Sequence, residues 1–395
     1  MNILVITQSP SIIGGANRSL LDVINILQDK YKHKCFVLAP AEGEFTEAAR
    51  ALGCNCIVSN YEQTSFVEIH DWKYLFRWLL FVKSIIYNRI KISTAIDKVK
   101  GTNIKYDVVY INDTTNTFGF NIAQRLNLPF VWHFRGYQKV IKRYLFNEKS
   151  LCNSSNGMII NISNAMQMHM LKIRKLPKKL MCVIYNGVVN HSFGVQRNVN
   201  RVNACDDLHC IHCGHISKAK GMEDSISAIS ILHQRGINNI YLHIAGSPCI
   251  ENGERYDEFL RRELILPNNI KDNIVFEGEV KDVALLRKSM DIELMCSIAE
   301  PFGRTTVEGL QAGLVVIGAN TGATPEIIQN NVNGLLYEQG NPKDLADKIE
   351  SIYCNIQLQK RLSKEAVEFS KTNFTMENNV KQINEILERV KRKQG

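Results

Sequence analysis

The sequence predicts an α/β protein made of two Rossmann-like domains. Short apolar runs rich in β-branched residues alternate with segments of helical periodicity along almost the whole chain. Strands that are apolar throughout and separated by helices are typical of a parallel sheet covered on both faces. The runs fall into two sets, and 395 residues suit two domains. We therefore expect two parallel sheets.

The predicted strands begin at the amino terminus and recur between helices. They are 2–7, 107–111, 129–134, 158–162 and 182–185, then 208–213, 241–246, 273–278, 292–297 and 314–319. Residues 17–27 form a predicted helix with apolar residues at helical spacing, and 222–236 form another. Each helix follows a strand, as a parallel sheet requires.

A polar stretch in the middle of the chain is the predicted domain boundary. Residues 190–207 follow a strand and have little periodicity, which is typical of an interdomain linker. We assign 1–190 to the N-terminal domain, 191–207 to the linker and 208–375 to the C-terminal domain. The tail, 378–395, is predicted to be an amphipathic helix with a basic end.

Composition limits the classes of function. The net charge of +9 favours anionic partners. GGAN at 14–17 does not supply the G-x-G-x-x-G of a dinucleotide site, and the basic residues form no recognised nucleic-acid module. The start MNILVITQS is not that of a signal peptide, and no apolar run is long enough to span a membrane. The 11 scattered cysteines suit reduced thiols, so we expect a cytoplasmic protein.

The stretch HCIHCGHISKAKG at 209–221 raises the question of a metal site. Zinc sites built on C-x-x-C need a tight turn and normally a second ligand pair. Cys210 and Cys213 lie on a predicted strand, where side chains three apart point to opposite faces, and no second pair follows. We therefore expect no metal site here.

The second half of this stretch predicts an anion-binding loop. A strand ends at Gly214, and Gly221 precedes a helix that starts near Met222. The helix N-terminus offers backbone N–H groups and a positive dipole end, and Lys220 adds a full charge. A generic loop with solvated lysines is an equally good interpretation of this segment alone.

Residues 296–338 carry the strongest signal. Glu300 follows a strand, at the sheet edge where open α/β proteins bind ligands, and Glu308 follows it with seven residues between. Gly303 in the turn between them allows a ligand to approach the backbone closely. Thr305 and Glu308 also have the spacing of a capping box, which would make Glu308 a structural residue.

At this point the sequence resembles the retaining glycosyltransferases of family 4, which have the GT-B architecture. The resemblance covers nearly the whole chain and rests on a series of motifs in order. They are MNILVITQSPSIIGGANRSLLDVINIL, PFVWHFRGY, ISNAM with VIYNGV, CGHISKAKG, the E-x7-E segment AEPFGRTTVEGLQAG, and GATPEIIQNNVNGLL. It implies two domains facing across a cleft, with the C-terminal helix, 376–395, returning to the N-terminal domain.

The resemblance implies a donor site for a nucleotide-diphosphate sugar, mostly in the C-terminal domain. Glu300 would bind hydroxyls of the transferred sugar, and Glu308 would accept from the ribose hydroxyls. Backbone N–H groups would bind the sugar at Phe302 and Gly303 and the diphosphate at Arg304 and Thr305.

Other roles follow from the same resemblance. Lys220 would neutralise the leaving diphosphate, Gly15 would allow close backbone approach, and Val280 would bracket the base. His133 would act near the sugar and the acceptor, although a structural strand-end histidine is the alternative. His215 stands where many relatives have arginine, which would leave the donor site with one permanent charge fewer.

For the reaction, the resemblance implies transfer with retention at the anomeric carbon. No Asp-x-Asp pair stands out as a metal clamp, so we expect no metal and no cofactor. The transferred group is expected to be a hexose or an N-acetylhexosamine, with a UDP-sugar favoured as donor over GDP-mannose. Two alternatives share the architecture: a non-hydrolysing sugar-nucleotide epimerase and a non-catalytic nucleotide-binding protein.

The acceptor is expected to be a saccharide or a lipid-linked saccharide of a cell-surface polysaccharide or glycolipid. Residues 70–101 interleave aromatic and basic residues, which suits a helix lying on an anionic membrane surface. The alternative is a helix pair packed on the N-terminal sheet with solvated charges. We expect the protein to be peripheral on the inner face of the cell membrane.

Overall fold

The computed structural model describes residues 1–12, 15–61, 74–137, 151–173, 176–189 and 206–393. The chain divides into two compact units. The first comprises Met1–Gly187 with Met376–Gly395, and the second comprises Val188–Thr375. Most of the predicted linker, 191–207, lies outside the described residues.

The N-terminal unit contains a parallel sheet of seven strands in the order β3-β2-β1-β4-β5-β6-β7. The strands are β1 (Asn2–Ile6), β2 (Lys34–Ala39), β3 (Asn55–Val58), β4 (Val108–Asn112), β5 (Phe130–Phe134), β6 (Gly157–Asn161) and β7 (Met181–Val183). Its helices before the last are α1 (Gly15–Asp29), α2 (Glu44–Ala51), α3 (Tyr74–Gly101), α4 (Thr117–Arg125) and α5 (Asn164–Ile173). Every residue of β4, β5 and β6 is buried, as expected for central strands of a sheet covered on both faces.

The C-terminal unit contains a parallel sheet of six strands in the order β12-β9-β8-β13-β14-β15. These strands are β8 (Leu208–Cys213), β9 (Ile240–Ala245), β12 (Ile274–Gly278), β13 (Ile292–Met295), β14 (Val315–Ala319) and β15 (Leu335–Tyr337), with a separate antiparallel hairpin of β10 (Ile250–Glu251) and β11 (Glu254–Arg255). The helices are α6 (Met222–Gln234), α7 (Tyr256–Leu260), α8 (Val283–Arg287), α9 (Arg304–Gln311), α10 (Thr324–Ile327), α11 (Pro342–Cys354) and α12 (Ile356–Thr372). The prediction of two parallel α/β sheets is confirmed.

The last helix, α13 (Met376–Arg392), belongs to the N-terminal unit. It buries one apolar stripe, formed by Val380, Ile383, Leu387 and Val390. Its Asn379 side chain donates to the Tyr185 carbonyl at 2.6 Å. The predicted return of the C-terminal helix to the first domain is therefore confirmed.

Three strands of the two parallel sheets have no counterpart in the sequence prediction: β2, β3 and β15. β3 and β15 are short edge strands, and β3 is only partly buried, so their sequences lack the long apolar run that marks a central strand. The described part of the basic aromatic segment is one helix, α3, while residues 70–73 lie outside the described residues. Among the helices that the structure describes, none is long and apolar enough to cross a membrane.

Candidate functional site

The loop that follows β8 is docked on the chain that follows β13. It contains a short 3-10 turn, Lys218–Lys220, and ends at Gly221, which has a left-handed backbone (φ 68°, ψ 33°). A Cβ at Gly221 would lie 2.0 Å from the Cys296 carbonyl oxygen. The Ile298 N–H also donates to the Ala219 carbonyl at 3.0 Å. These contacts bring Lys220 close to the carboxyl end of β13.

Lys220 and Glu300, which were predicted from separate motifs, form an ion pair. Lys220 Nζ donates to Glu300 Oε2 at 2.8 Å, and Ser297 Oγ donates to the same oxygen at 3.0 Å. The side chains are 29% and 13% exposed, so the pair is neither buried nor fully solvated. A cation and a carboxylate thus lie together at the sheet edge where ligands bind in this class of fold.

The segment around Gly322 supports the Glu300 backbone from the other side. The Ala323 N–H donates to the Glu300 carbonyl at 2.9 Å, and Thr321 Oγ1 donates to the Ile298 carbonyl at 3.1 Å. A Cβ at Gly322 would lie 2.5 Å from the Glu300 carbonyl oxygen. This close approach explains the glycine of the NTGATPE stretch, because a larger residue would displace Glu300.

Helix α9 begins immediately after Gly303. Gly303 is its N-cap with φ 97°, and no side chain caps the helix. Thr305 is thus inside the first turn, and the capping-box interpretation of Thr305 and Glu308 is wrong. Arg304 and Thr305 are the first two residues of α9, so their backbone N–H groups point toward the N-terminal end of the helix. Phe302 is buried and packs edge-on against Phe374.

Glu308 has its own set of contacts, separate from the Lys220–Glu300 pair. Its Oε2 accepts from Arg287 Nη1 at 3.1 Å, and its side chain is 26% exposed. Arg287 in turn donates to both oxygens of Glu293, at 2.7 and 2.9 Å. Burial alone would lower the pKa of Arg287, but the charge of Glu293 and its hydrogen bonds raise it above the ordinary arginine value.

Three glycines lie at the carboxyl ends of three neighbouring strands of the C-terminal sheet. Gly214 follows β8, Gly246 follows β9 and Gly278 ends β12. A Cβ at Gly246 would lie 1.9 Å from the Gly214 carbonyl oxygen. Val280 is partly buried against the small cluster that contains Cys213 and Ala245, whereas His215 is exposed.

The cysteines of the HCIHC stretch do not share a ligand. Cys210 and Cys213 both lie on β8, but Cys210 belongs to the main core and Cys213 to a separate cluster on the opposite face. His212 is fully buried with its Nδ1 3.1 Å from Ser225 Oγ. Burial, together with the charge of Lys220, lowers the pKa of His212 to about 3. Within the described residues, no group of three His, Cys, Asp or Glu side chains could hold a metal ion.

In the N-terminal unit, His133 lies inside β5 and is fully buried. Its Nδ1 bonds the Tyr110 hydroxyl, and its Nε2 has no hydrogen-bond partner among the described residues. Burial lowers the pKa of His133 well below its ordinary value, and the charge of Arg135 lowers it further. A ligand could therefore reach this imidazole only if its neighbours moved. Gly15, the other candidate in this unit, is the first residue of α1.

A polar cluster that the sequence analysis missed lies at the carboxyl edge of the same sheet. Arg135, just after β5, donates to Asn112 Oδ1 at 2.6 Å, Ser19 Oγ at 2.9 Å and Asn186 Oδ1 at 3.0 Å. Asn17 accepts from Asn112 at 3.2 Å, which ties α1 to the end of β4. Arg135 is only 7% exposed. Arg135, two residues after His133, thus places a buried permanent cation at this edge of the sheet.

Two family models match consecutive parts of the chain. The model for glycosyltransferase family 4 matches residues 13–190, and the model for glycosyl transferases group 1 matches residues 201–369. The chain belongs to the family 4, group 1 glycosyltransferases. The predicted residues of this glycosyltransferase lie within the two matched ranges, with Gly15 and His133 in the first and the others in the second.

Relatives of this glycosyltransferase are distant in sequence but close in fold. An uncharacterized glycosyltransferase of Methanocaldococcus jannaschii is 27% identical over 267 residues, which is 63% of this chain and 66% of that protein. A crystal structure of a glycosyltransferase from Rickettsia africae has a TM-score of 0.79 at 20% identity and covers 98% of each chain. Anabaena HepE in complex with UDP and glucose has a TM-score of 0.75 at 21% identity, covering 98% of this chain and 100% of HepE.

The sequence analysis of this glycosyltransferase missed Arg287 and Glu293. A signal was present: Glu293 is an acid inside the otherwise apolar run IELM, on a strand predicted to be buried. A carboxylate in such a place needs a cationic partner, and Arg287 lies only six residues earlier. Arg135 could have been found in the same way, as a charge directly after the buried strand FVWHF.

Proposed function

We propose that this glycosyltransferase moves a hexose or an N-acetylhexosamine from a nucleotide-diphosphate sugar to a saccharide or a lipid-linked saccharide, with retention of anomeric configuration. The observation that carries the proposal is the Lys220–Glu300 pair, which lies next to the first turn of α9. A UDP-sugar is the favoured donor, because HepE, which has the same fold, was solved with UDP and glucose. The proposed pathway class is synthesis of a cell-surface polysaccharide or glycolipid.

The proposed roles follow from the charges that develop during transfer. The bond from the anomeric carbon to the diphosphate breaks, so positive charge grows on the sugar ring and negative charge on the leaving phosphate. Lys220 and the N–H groups of Arg304 and Thr305 would stabilise the leaving group. Glu300 would hold the sugar hydroxyls, and Glu308 the ribose. The acceptor hydroxyl attacks the same face and passes its proton to the leaving diphosphate.

This arrangement would work without a divalent metal ion or cofactor, because a lysine and a helix N-terminus supply the positive charge. The test is a thermal-shift panel of UDP, GDP, ADP and their common sugars in the presence of EDTA. One nucleotide should stabilise the wild type, since stabilisation grows with the logarithm of ligand concentration over Kd. Glu308→Ala should lose most of that shift. No shift with any nucleotide in EDTA, followed by a shift with magnesium, would overturn metal independence.

We also propose that α3 binds an anionic membrane surface. Between residues 78 and 90 it exposes Trp78, Leu79, Leu80, Ile86 and Ile90 by 43–65%, whereas Ile92, Ala95 and Val99, closer to its C-terminal end, are buried. The exposed residues Lys83 and Arg89 lie in the same part of α3, between residues 78 and 90, and would attract acidic headgroups.

The membrane proposal is tested by sedimentation with vesicles of phosphatidylglycerol and phosphatidylcholine. Ile86→Ser with Ile90→Ser should reduce binding, while Leu266→Ser, at an exposed leucine of the other unit, should not. If the wild type did not bind these vesicles and glycosylated only water-soluble acceptors, the membrane proposal would fail. The proposed donor chemistry would still stand.

A further inference from the structure

Three charged side chains from three elements form a chain of contacts next to α9. Glu293 lies on β13 with a fully buried side chain, and Arg287, the last residue of α8, is 4% exposed. Glu308 on α9 is 26% exposed. Arg287 uses Nε and Nη2 for the two oxygens of Glu293 and Nη1 for Oε2 of Glu308. We call this set the Glu293–Arg287–Glu308 chain.

The buried end of this chain is firmly held. A carboxylate inside a sheet is costly unless it is paired, and Glu293 is paired through both oxygens by a planar guanidinium. Helix α9 also packs closely on it, because a Cβ at Gly309 would lie 3.1 Å from both the Cβ and Oε2 of Glu293. Arg287 therefore has little freedom to turn, and its Nη1 amino group has a fixed direction.

The solvent-facing end of the Glu293–Arg287–Glu308 chain has the charge that a residue needs to bind ribose hydroxyls. The negative charge of Glu293 offsets the positive charge of Arg287. The net charge of the three side chains is therefore −1, and it lies on Glu308. Arg287 holds Oε2 of Glu308, whereas Oε1 accepts no hydrogen bond from the residues that the structure describes. A carboxylate fixed at one oxygen and open at the other is oriented to accept from a vicinal diol.

We infer that Arg287 is a positioning residue, held by Glu293, which orients the Glu308 carboxylate toward the 2′- and 3′-hydroxyls of the donor nucleotide. The inference rests on the proposed function, since it takes Glu308 as the ribose ligand. Arg287 does not touch the donor; its effect on binding passes through Glu308 alone. The effect should therefore depend on the ribose hydroxyls being present.

The experiment measures Kd by calorimetry for UDP, GDP and ADP, each compared with its 2′,3′-dideoxy counterpart. The wild type should bind one nucleotide about tenfold to a hundredfold more tightly than its dideoxy form, the range for hydrogen bonds to a charged group. Glu308→Gln should reduce this preference. Arg287→Met with Glu293→Met should reduce it to less than about threefold while leaving dideoxy binding nearly unchanged. The double change removes both buried charges, which proteins often tolerate when volume is kept.

Arg287→Lys is the second variant, because lysine keeps the charge but cannot contact both carboxylates as a fork. It should also lose most of the hydroxyl preference. Arg235→Met is the matched control: Arg235 also pairs with two carboxylates, Asp347 and Glu350, but away from α9. The control should keep the wild-type preference.

The outcomes separate this inference from the proposed function. If Glu308→Gln loses the preference but both Arg287 variants keep it, the positioning role is refuted and the donor site stands. If both Arg287 variants weaken the normal and dideoxy nucleotides equally, Arg287 is only structural and the inference is also refuted. If the wild type does not prefer nucleotides with ribose hydroxyls, or binds none of the nucleotides, the proposed role of Glu308 is refuted. The positioning role of Arg287 is then refuted as well.

Discussion

Replacing Gly221 with alanine tests how closely the 214–221 loop is docked on the chain before Glu300. Gly221 has a left-handed backbone, and a Cβ there would lie 2.0 Å from the Cys296 carbonyl oxygen. That oxygen belongs to the main chain, so the rotation of a side chain cannot relieve the clash. The clash can be relieved only by shifting one of the two segments that carry Lys220 and Glu300.

Two costs combine in Gly221→Ala. A residue with a Cβ in the left-handed region costs about 1–2 kcal/mol relative to glycine. Forcing extra volume into a packed contact adds about 1–3 kcal/mol. Gly236→Ala is the matched control, because Gly236 has φ 82° with nothing within 4 Å of its would-be Cβ. The control should lose only the stability that the left-handed backbone costs. The difference in free energy of unfolding between the two variants therefore measures the cost of the contact with Cys296.

The assay is urea unfolding, with far-UV circular dichroism as the signal that monitors the loss of secondary structure. The three tryptophans, at 72, 78 and 132, are all in the N-terminal unit, so their fluorescence monitors the unit that is not mutated. Gly221→Ala should also weaken nucleoside diphosphate binding more than Gly236→Ala does. Equal loss of stability in the two variants, with equal binding, would refute the close approach of Gly221 to Cys296.

Two further predictions concern stability. His212 binds its proton with a pKa of about 3 in the folded chain but near 6.5 when unfolded. The unfolded state therefore binds more protons between these values, and the free energy of unfolding should fall by about 1.4 kcal/mol per pH unit as pH decreases from 6.5 toward 3. His212→Asn should flatten this dependence in urea titrations at several pH values, and an unchanged slope would contradict it. Leu387→Ala, at a fully buried position of α13, should lower the free energy of unfolding by about 2–5 kcal/mol, because α13 completes the core of the N-terminal unit. The shift of the urea unfolding transition, monitored by tryptophan fluorescence, measures this change. A cost below about 1 kcal/mol would mean that α13 is only loosely attached.

The sequence predicts the central part of both sheets well for a physical reason. A strand covered on both faces is apolar at most positions, so β4, β5, β8 and β14 stand out without reference to distant residues. Edge strands do not have this constraint. β15 has only three residues and pairs with β14 alone, so its existence depends on a neighbour that is distant in sequence.

The candidate site was predictable where chemistry is local and not where it depends on packing. Lys220 and Glu300 each stand out beside a strand end, although only the fold shows that they pair. The capping-box interpretation of Glu308 was wrong because the helix starts at Arg304, two residues earlier than the Thr306 start which that spacing requires. The partner that Glu308 has instead, Arg287, comes from a different helix, and no spacing rule within one element could reveal it.

The Lys220–Glu300 pair has a consequence for donor binding. The two side chains are partly exposed, so the pair can exchange partners at low cost, unlike the buried pairing of Arg287 with Glu293. In the proposed mechanism, Lys220 passes from Glu300 to the diphosphate, and this exchange frees Glu300 for the sugar hydroxyls. Glu300 should therefore compete with the diphosphate in the absence of the sugar.

Glu300→Gln removes this competition and keeps the side-chain volume. Partly exposed ion pairs are worth about 0.2–1 kcal/mol, so the variant should bind the free nucleoside diphosphate about 1.4- to fivefold more tightly than the wild type does. The same change should lower the rate of sugar transfer strongly, because an amide cannot match a carboxylate as acceptor for the sugar hydroxyls. Calorimetry gives the first quantity and product formation the second, with Glu258→Gln, an exposed glutamate of the same unit, as the control for net charge. Weaker nucleotide binding in Glu300→Gln would mean that the carboxylate holds Lys220 in place for the phosphate and does not compete with it.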